Sequence, residues 1–263
     1  MGSNAEPEES RTIQSVERTL EILEALKQLN GARLSELSEL TGMSHSSIHH
    51  YLMSLQKHGY VVKYGNMYDV SVRFFSLGGY ARHRRKIYQD SRDRINDLAA
   101  ETGETARLVI EHDGHCITVY QTTDEGADQS QTYAGFEESP HSTAAGKAIL
   151  AELSREEVES IVEYHGLPAR TENTIVDEDE LYEELERVRS NGYAVDDQEC
   201  FEGLFCIADS VRTSDGNVLG AISVSAPVDR IDRQEFLEEV TPLLNNTTGV
   251  LEISHTYSYW EDN

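Results

Sequence analysis

Residues 34–60, LSELSELTGMSHSSIHHYLMSLQKHGY, constrain the fold of this chain more than any other stretch. Two short amphipathic segments meet at a glycine turn, Thr41-Gly42, and a β-like run follows Gly59. That order is the layout of a winged helix-turn-helix, whose second helix enters a DNA major groove. Upstream, Ile13, Val16, Leu20, Leu23 and Leu26 recur at three and four residues and predict a first helix ending near Asn30-Gly31. Leu34, Leu37 and Leu40 predict the apolar face of a second helix. Ser44 is the natural N-cap of a third, with Ile48, Tyr51, Leu52 and Leu55 turned inward. Residues 60–63 and 66–70 predict a hairpin turning at Gly65-Asn66, the wing.

A phosphate-reading module is out of place in a chain this acidic. The 263 residues carry a formal net charge of −26, from 48 Asp and Glu against 22 Lys and Arg. Dividing the charge resolves the conflict. Residues 1–100 hold 13 basic and 12 acidic side chains, and residues 101–263 hold 9 and 36. The acid therefore belongs to the C-terminal part, as expected of a DNA-binding end joined to a domain of another kind. An acid surface this extreme also points to a host with high internal salt, where carboxylates keep proteins hydrated. At 38% hydrophobic the chain can bury ordinary cores. No apolar run reaches the length of a membrane span, and the start, MGSNAEPEES, lacks the basic and apolar stretches of a signal peptide. Three cysteines without CxxC spacing suit a reducing cytoplasm.

Four segments are expected along the chain: an acidic disordered tail over 1–11, a winged helix-turn-helix over 12–80, a basic connecting helix over 81–101, and an α+β domain over 102–258. In the last, Asp113-Gly114 and Asp215-Gly216 each lie between β-like runs, at 106–111 and 116–121 and at 204–211 and 218–225. Ser154 to Glu157 is a capping box, a second helix spans 177–190 and stops at Gly192, and a long helix spans 234–255. Hairpins mixed with helices make an α+β domain.

Taken in order, these blocks resemble the IclR family of transcriptional regulators from residue 13 to residue 254. The N-terminal match is IQSVERTLEILEAL, LSELSELTGMSHSSIHHYLMSLQKHGYV and YDVSVRFFSLGGYA. The more specific match is HSTAAGKAILA, NGYAVDDQECFEGLFCIADSV and GAISVSAPVDRI. With the acid surface marking the chain as one from a halophilic archaeon, the resemblance implies a linker helix that takes part in dimerisation and a GAF-like effector domain with an antiparallel sheet. It further implies dimers or tetramers on double-stranded palindromic operators, a small-molecule effector that is commonly a carboxylate, and control of catabolic genes.

Positions on the third helix not needed for packing include Ser46, Ser47, His49, His50 and Ser54, preceded by the cap Ser44. Hydroxyls and imidazoles near a helix N-terminus suit phosphate oxygens and base edges. Arg33 and Lys63 are candidate phosphate contacts. The family usually carries arginine where this chain has His50, so a bidentate guanine reader is replaced. In HSTAAGKAILA, Ser142 or Thr143 starts a helix whose first amides can hold a carboxylate. By the resemblance those amides belong to Ala144 and Ala145, with Asp196, Cys206, Ser223 and Ser225 as the polar pocket.

Other readings are weaker. HDGHC at 112–116 lacks the spacing of a metal site. No nucleophile–base–orienter set can be assembled over 101–263, which weighs against a hydrolase or transferase with an accessory DNA domain. A ligand-independent architectural DNA protein would not need so well marked a C-terminal domain. No cofactor, metal or catalytic residue is expected.

Overall fold

The computed structural model describes residues 12–123 and 131–261, so the tail expected over 1–11 lies outside the described residues. The chain divides into two compact units, Met1–Ala81 and Arg82–Asn263.

The first unit holds α1 (Gln14–Gln28), α2 (Leu34–Thr41) and α3 (His45–Lys57), followed by β1 (Val61–Tyr64), β2 (Met67–Val70) and most of α4 (Arg73–His83). Gly42 adopts φ +67° at the end of α2, the left-handed conformation that lets the chain turn sharply into α3. The antiparallel strands pair from Val61↔Val70 to Tyr64↔Met67, giving the expected two-residue wing turn. Backbone bonds between Ala32 and Tyr68, at 2.9 and 2.8 Å, tie the wing to the segment between α1 and α2.

The packing departs from the expected stripe on α1. Ile22, Ala25 and Leu26 are buried, whereas Ile13, Val16 and Leu20 are more than half exposed. On α2, Leu37 is buried but Leu40 is exposed. Both patterns have helical spacing, and only the direction of the neighbouring helices decides which stripe packs. The face of α3 packs as read, with Ile48, Leu52 and Leu55 buried and Tyr51 partly so. A further departure lies in the connection. The single helix expected over residues 81–100 is divided into α4 and α5 (Lys86–Thr102), with Arg84-Arg85 between them.

In the second unit β3 (Thr105–His112), β4 (His115–Thr123), β5 (Glu137–Glu138), β6 (Ala194–Asp197), β7 (Leu204–Arg212) and β8 (Val218–Pro227) form an antiparallel sheet in the order β5-β4-β3-β8-β7-β6. Both Asp-Gly hairpins form as read. One face carries Leu108, Ile207, Ile222 and Val224 and packs against α5 and α9 (Arg233–Glu261). The opposite face packs against α6 (Ala144–Glu152), α7 (Arg155–His165) and α8 (Glu178–Asn191) through Val109, Ala194, Ala208 and Ala221. Ser154 and Glu157 cap α7 reciprocally, and Gly192 closes α8 at φ +77°.

The start of α6 is unusually tight. Thr143 is its N-cap, accepting from the Gly146 amide at 3.0 Å. A Cβ at Gly146 would lie 2.2 Å from the Pro140 carbonyl oxygen. Because that neighbour is backbone, it cannot rotate away. Gly146→Ala is therefore expected to destabilise the second unit by about 1–3 kcal/mol or more, despite alanine's higher helix propensity. Equilibrium denaturant unfolding measures this, and an unchanged or raised midpoint would show that the 3-10 turn over Pro140–Ser142 can yield.

Candidate functional site

In the first unit the side chains named for DNA contact share one exposed surface of α3. Ser46, Ser47, His49, His50 and Ser54 are exposed, as are Arg33 at the N-cap of α2 and Lys63 in β1. Two of these serines also serve the helix itself. Ser44 accepts from the Ser47 amide at 3.3 Å and its hydroxyl lies 2.9 Å from the Ser47 hydroxyl, while Ser54 donates to the His50 carbonyl at 3.0 Å. His49 and His50 keep free outward positions, with ring centroids 6.2 Å apart. Lys63 lies over the Tyr68 ring at 4.7 Å, which aims its ammonium along the wing.

In the second unit, strand register brings the candidate effector residues together. Asp196 pairs with Cys206, Cys206 with Ser225, and Ser225 with Thr105. Two residues away, Ala194, Ala208, Ser223 and Arg107 form a parallel row. Directly paired residues and their i±2 neighbours share a sheet face, so both rows look toward the helix that Ala144 and Ala145 begin. Those two alanines and Cys206 belong to one buried cluster. The serine hydroxyls differ in their bonding. Ser223 is fully buried and accepts from Arg107 Nε at 3.3 Å, whereas the buried Ser225 Oγ has no hydrogen-bond partner among the described residues.

Arg107, Glu138, Lys147 and Glu199 are buried charges that the sequence does not single out. Arg107 donates from Nη1 to Glu138 at 3.1 Å, with both side chains almost wholly buried. Burial is the largest single influence and works against the guanidinium charge, but Glu138, Cys206, Cys200 and Asp196 together outweigh it, so the proton is held more firmly than usual. Lys147 on α6 is buried to 1% exposure and donates to Glu199 at 2.6 Å and Glu184 at 3.0 Å. The Glu199 amide in turn donates to Asp196 Oδ1 at 2.7 Å, with the Cys200 amide at 3.4 Å. Asp196 is thus linked to Lys147 through one residue. Burial raises its carboxyl to about 7, with the charge of Glu199 adding to the rise and both amides and Lys147 opposing it. The thiols of Cys116 and Cys206 are pushed up by burial above all, which makes them inert core residues.

A cavity of about 420 Å³ opens beside the start of α5, between Arg85, Lys86, Leu153 and His255; it shares none of the candidate effector residues. At 112–116, His115 lies 3.4 Å from Glu137 and packs edge-on against His165, and no group of three side chains among the described residues could hold a metal ion.

Residues 80–254 match the family described as Bacterial transcriptional regulator IclR C-terminal, and residues 15–64 match the IclR helix-turn-helix domain. The chain belongs to the IclR family. It is 33% identical over 255 residues to the probable HTH-type transcriptional regulator ArcR of Halobacterium salinarum, covering 95% of this chain and 96% of that one. The crystal structure of the Thermotoga maritima IclR superposes with a TM-score of 0.70 at 25% identity, covering 92% of this chain and 99% of that one. The inducer-binding domain of a PobR double mutant from Acinetobacter, in complex with 3-hydroxybenzoic acid, superposes with a TM-score of 0.58 at 27% identity. It covers 62% of this chain and 96% of that one.

The chain is thus an IclR-type transcriptional regulator. Arg107 had a weak sequence signal, a cation inside the apolar run TARLVI of β3, but nothing in sequence shows its pairing with Glu138. Lys147 sits within the quoted block HSTAAGKAILA, yet helical periodicity cannot say that its head is buried. The Asp196 carboxyl has a measurable consequence. Its folded pKa lies above the unfolded value, so its contribution to stability is full below about pH 4 and is lost as pH rises through about 7. Asp196→Asn keeps an amide-accepting oxygen without the charge. Relative to the parent, it is expected to gain about 2 kcal/mol between pH 5 and pH 8, measured by denaturant unfolding at the two pH values. Parallel pH profiles would show that Asp196 is ionised throughout.

Proposed function

We propose that this IclR regulator reads a palindromic operator as a homo-oligomer and changes its hold on that DNA when a small carboxylic acid enters the second unit. The observation that carries the reading is the polar row of Asp196, Cys206, Ser225, Ser223 and Arg107 on the face beneath the N-terminus of α6. A helix start offers amides and a positive dipole end to an anion, while the row offers hydroxyls and a carboxyl to the rest of the molecule. The 3-hydroxybenzoic acid complex of the Acinetobacter domain supports a carboxylate ligand in this fold. Control of catabolic genes is the corresponding physiological reading.

Exposed apolar side chains support self-association of the first unit. Ile13, Val16 and Leu20 at the start of α1, and Phe75, Leu77 and Tyr80 on α4, are each more than half exposed. The family relation supports a non-catalytic role and a location where DNA is found, the cytoplasm, and no helix among the described residues is long and apolar enough to cross a membrane. The acid excess and the relative in Halobacterium salinarum support a host with high internal salt.

The effector reading is tested with duplexes selected in vitro from random sequence. Fluorescence anisotropy is recorded while pyruvate, benzoate and 3-hydroxybenzoate are titrated against their amides. At least one acid is expected to shift DNA affinity about tenfold, a usual size for allosteric coupling, and its amide is not. Asp196→Ala and Ser223→Ala should abolish the shift and leave effector-free DNA affinity within about twofold. A response that survives both substitutions sinks the assignment.

The DNA reading has its own test. With histidine and serine in place of an arginine on α3, base contacts and shape carry more of the binding than phosphate neutralisation does. His50→Ala is expected to cost about 1–3 kcal/mol on the selected site and to relax base preference there. Lys63→Ala should weaken all duplexes alike and lower the salt slope by about one. Equal loss on selected and random DNA for His50→Ala would remove it from base readout.

A further inference from the structure

The Arg107–Glu138 pair has a property that core packing does not require. An ion pair buried this deeply returns little net stability, because desolvating two charges costs as much as their attraction yields. Apolar side chains of the same volume would hold the sheet as well. What the pair does provide is an arginine kept inside the effector-facing side of the sheet with its charge balanced.

The two partners are anchored very differently. Arg107 lies in β3, which is hydrogen-bonded on one side to β4 and on the other to β8, and its Nε is fixed on Ser223. Glu138 ends β5, a strand of two residues at the sheet edge that pairs with β4 at Cys116↔Glu138 and Ile117↔Glu137, continued by backbone bonds of Thr118 with Phe136 and Gly135. A short edge strand, bonded on one side alone, opens at lower cost than a central strand bonded on both. Beyond Arg107, the only other side chain among the described residues bonded to the Glu138 carboxylate is the Cys200 thiol, at 3.6 Å to Oε1. The guanidinium, moreover, uses Nε on Ser223 and Nη1 on Glu138. A fixed cation thus faces a detachable anion, beside residues assigned above to the effector. Arginine is also the side chain best matched to a planar carboxylate, through two parallel N–H donors.

We infer that Arg107 joins the amides that begin α6 in holding the effector's carboxylate and is the specificity-determining residue for it, and that Glu138 is an internal stand-in carboxylate which the effector displaces. This rests on the effector reading above and deepens it. The exchange replaces one anion by another, so the buried charge stays balanced throughout. A neutral analogue cannot compete for the guanidinium, and a cationic ligand is repelled by it. Displacing Glu138 also frees β5 from β3, converting ligand identity into movement of the segment that leads into the Pro140–Ser142 turn and α6.

Chemical rescue tests the inference on the full-length chain. Glu138→Ala removes the stand-in, and acetate is the probe, with acetamide and potassium chloride of equal ionic strength as controls. Acetate is expected to raise the Tm of Glu138→Ala saturably, by at least about 3 °C, to raise that of the parent less, and to leave the double variant Arg107→Met/Glu138→Ala unchanged. No rise in Glu138→Ala, or an equal rise in the double variant, overturns the assignment. If the alanine variant does not fold, Glu138→Gln replaces it, keeping an acceptor oxygen and losing the charge. The glutamine variant should bind acetate at least tenfold more tightly than the parent, and equal affinity overturns the inference. The two readings fail separately. Rescue through Arg107 alongside a DNA response that ignores Asp196 and Ser223 would sink the effector reading and spare the anion site. A response that needs those residues but is unchanged in Arg107→Met would do the reverse.

Discussion

The second unit is organised around one buried ammonium. Lys147 leaves the first turn of α6, reaches Glu184 on α8, and reaches Glu199 in the segment between β6 and β7. Breaking a pair of this kind from one side leaves uncompensated buried charge, a cost of about 3–5 kcal/mol, so the three elements move together or not at all. Because the Glu199 amide also holds Asp196, the same contact sets the position of a candidate effector residue. The candidate ligand site and the helix frame around it are therefore mechanically continuous.

Charge is distributed by the same logic. The acid excess that looked incompatible with DNA lies beyond residue 100, and a few acidic side chains are drawn inside, where Glu138, Glu184 and Glu199 are matched by Arg107 and Lys147. Asp196 has no directly bonded cation among the described residues. Its carboxyl is held by two backbone amides instead, which explains why burial can lift it close to neutrality. A site containing one titrating carboxyl, one paired arginine and several hydroxyls is suited to an anion that also carries polar groups.

Much of the fold could be read from local pattern. The wing turn at Gly65-Asn66, the Asp113-Gly114 and Asp215-Gly216 hairpins, the capping box of Ser154 and the stop at Gly192 each depend on a few neighbouring residues, and each forms where expected. The misreadings came where several local patterns were equally good. On α1 the C-terminal members of the expected stripe pack, Leu26 fully and Leu23 in part beside Ile22 and Ala25, while Ile13, Val16 and Leu20 stay exposed. The basic run near residue 84 looked continuous with the following helix, but the backbone breaks there, between α4 and α5. Ser46, Ser47 and His50 are exposed on α3, as their place outside its packing stripe requires.

By itself, the amino-acid sequence determined the order of elements and the separation of a near-neutral reader from an acidic partner. These are properties of spacing, capping and composition, which act over a few residues. Only the tertiary structure decided that Arg107 faces the same side of the sheet as Asp196, Cys206, Ser223 and Ser225, that Glu138 meets it from an edge strand 31 residues away, and that Lys147 is buried. Such pairings depend on strand register and on which charge is removed from water, and both are settled only when distant segments pack together.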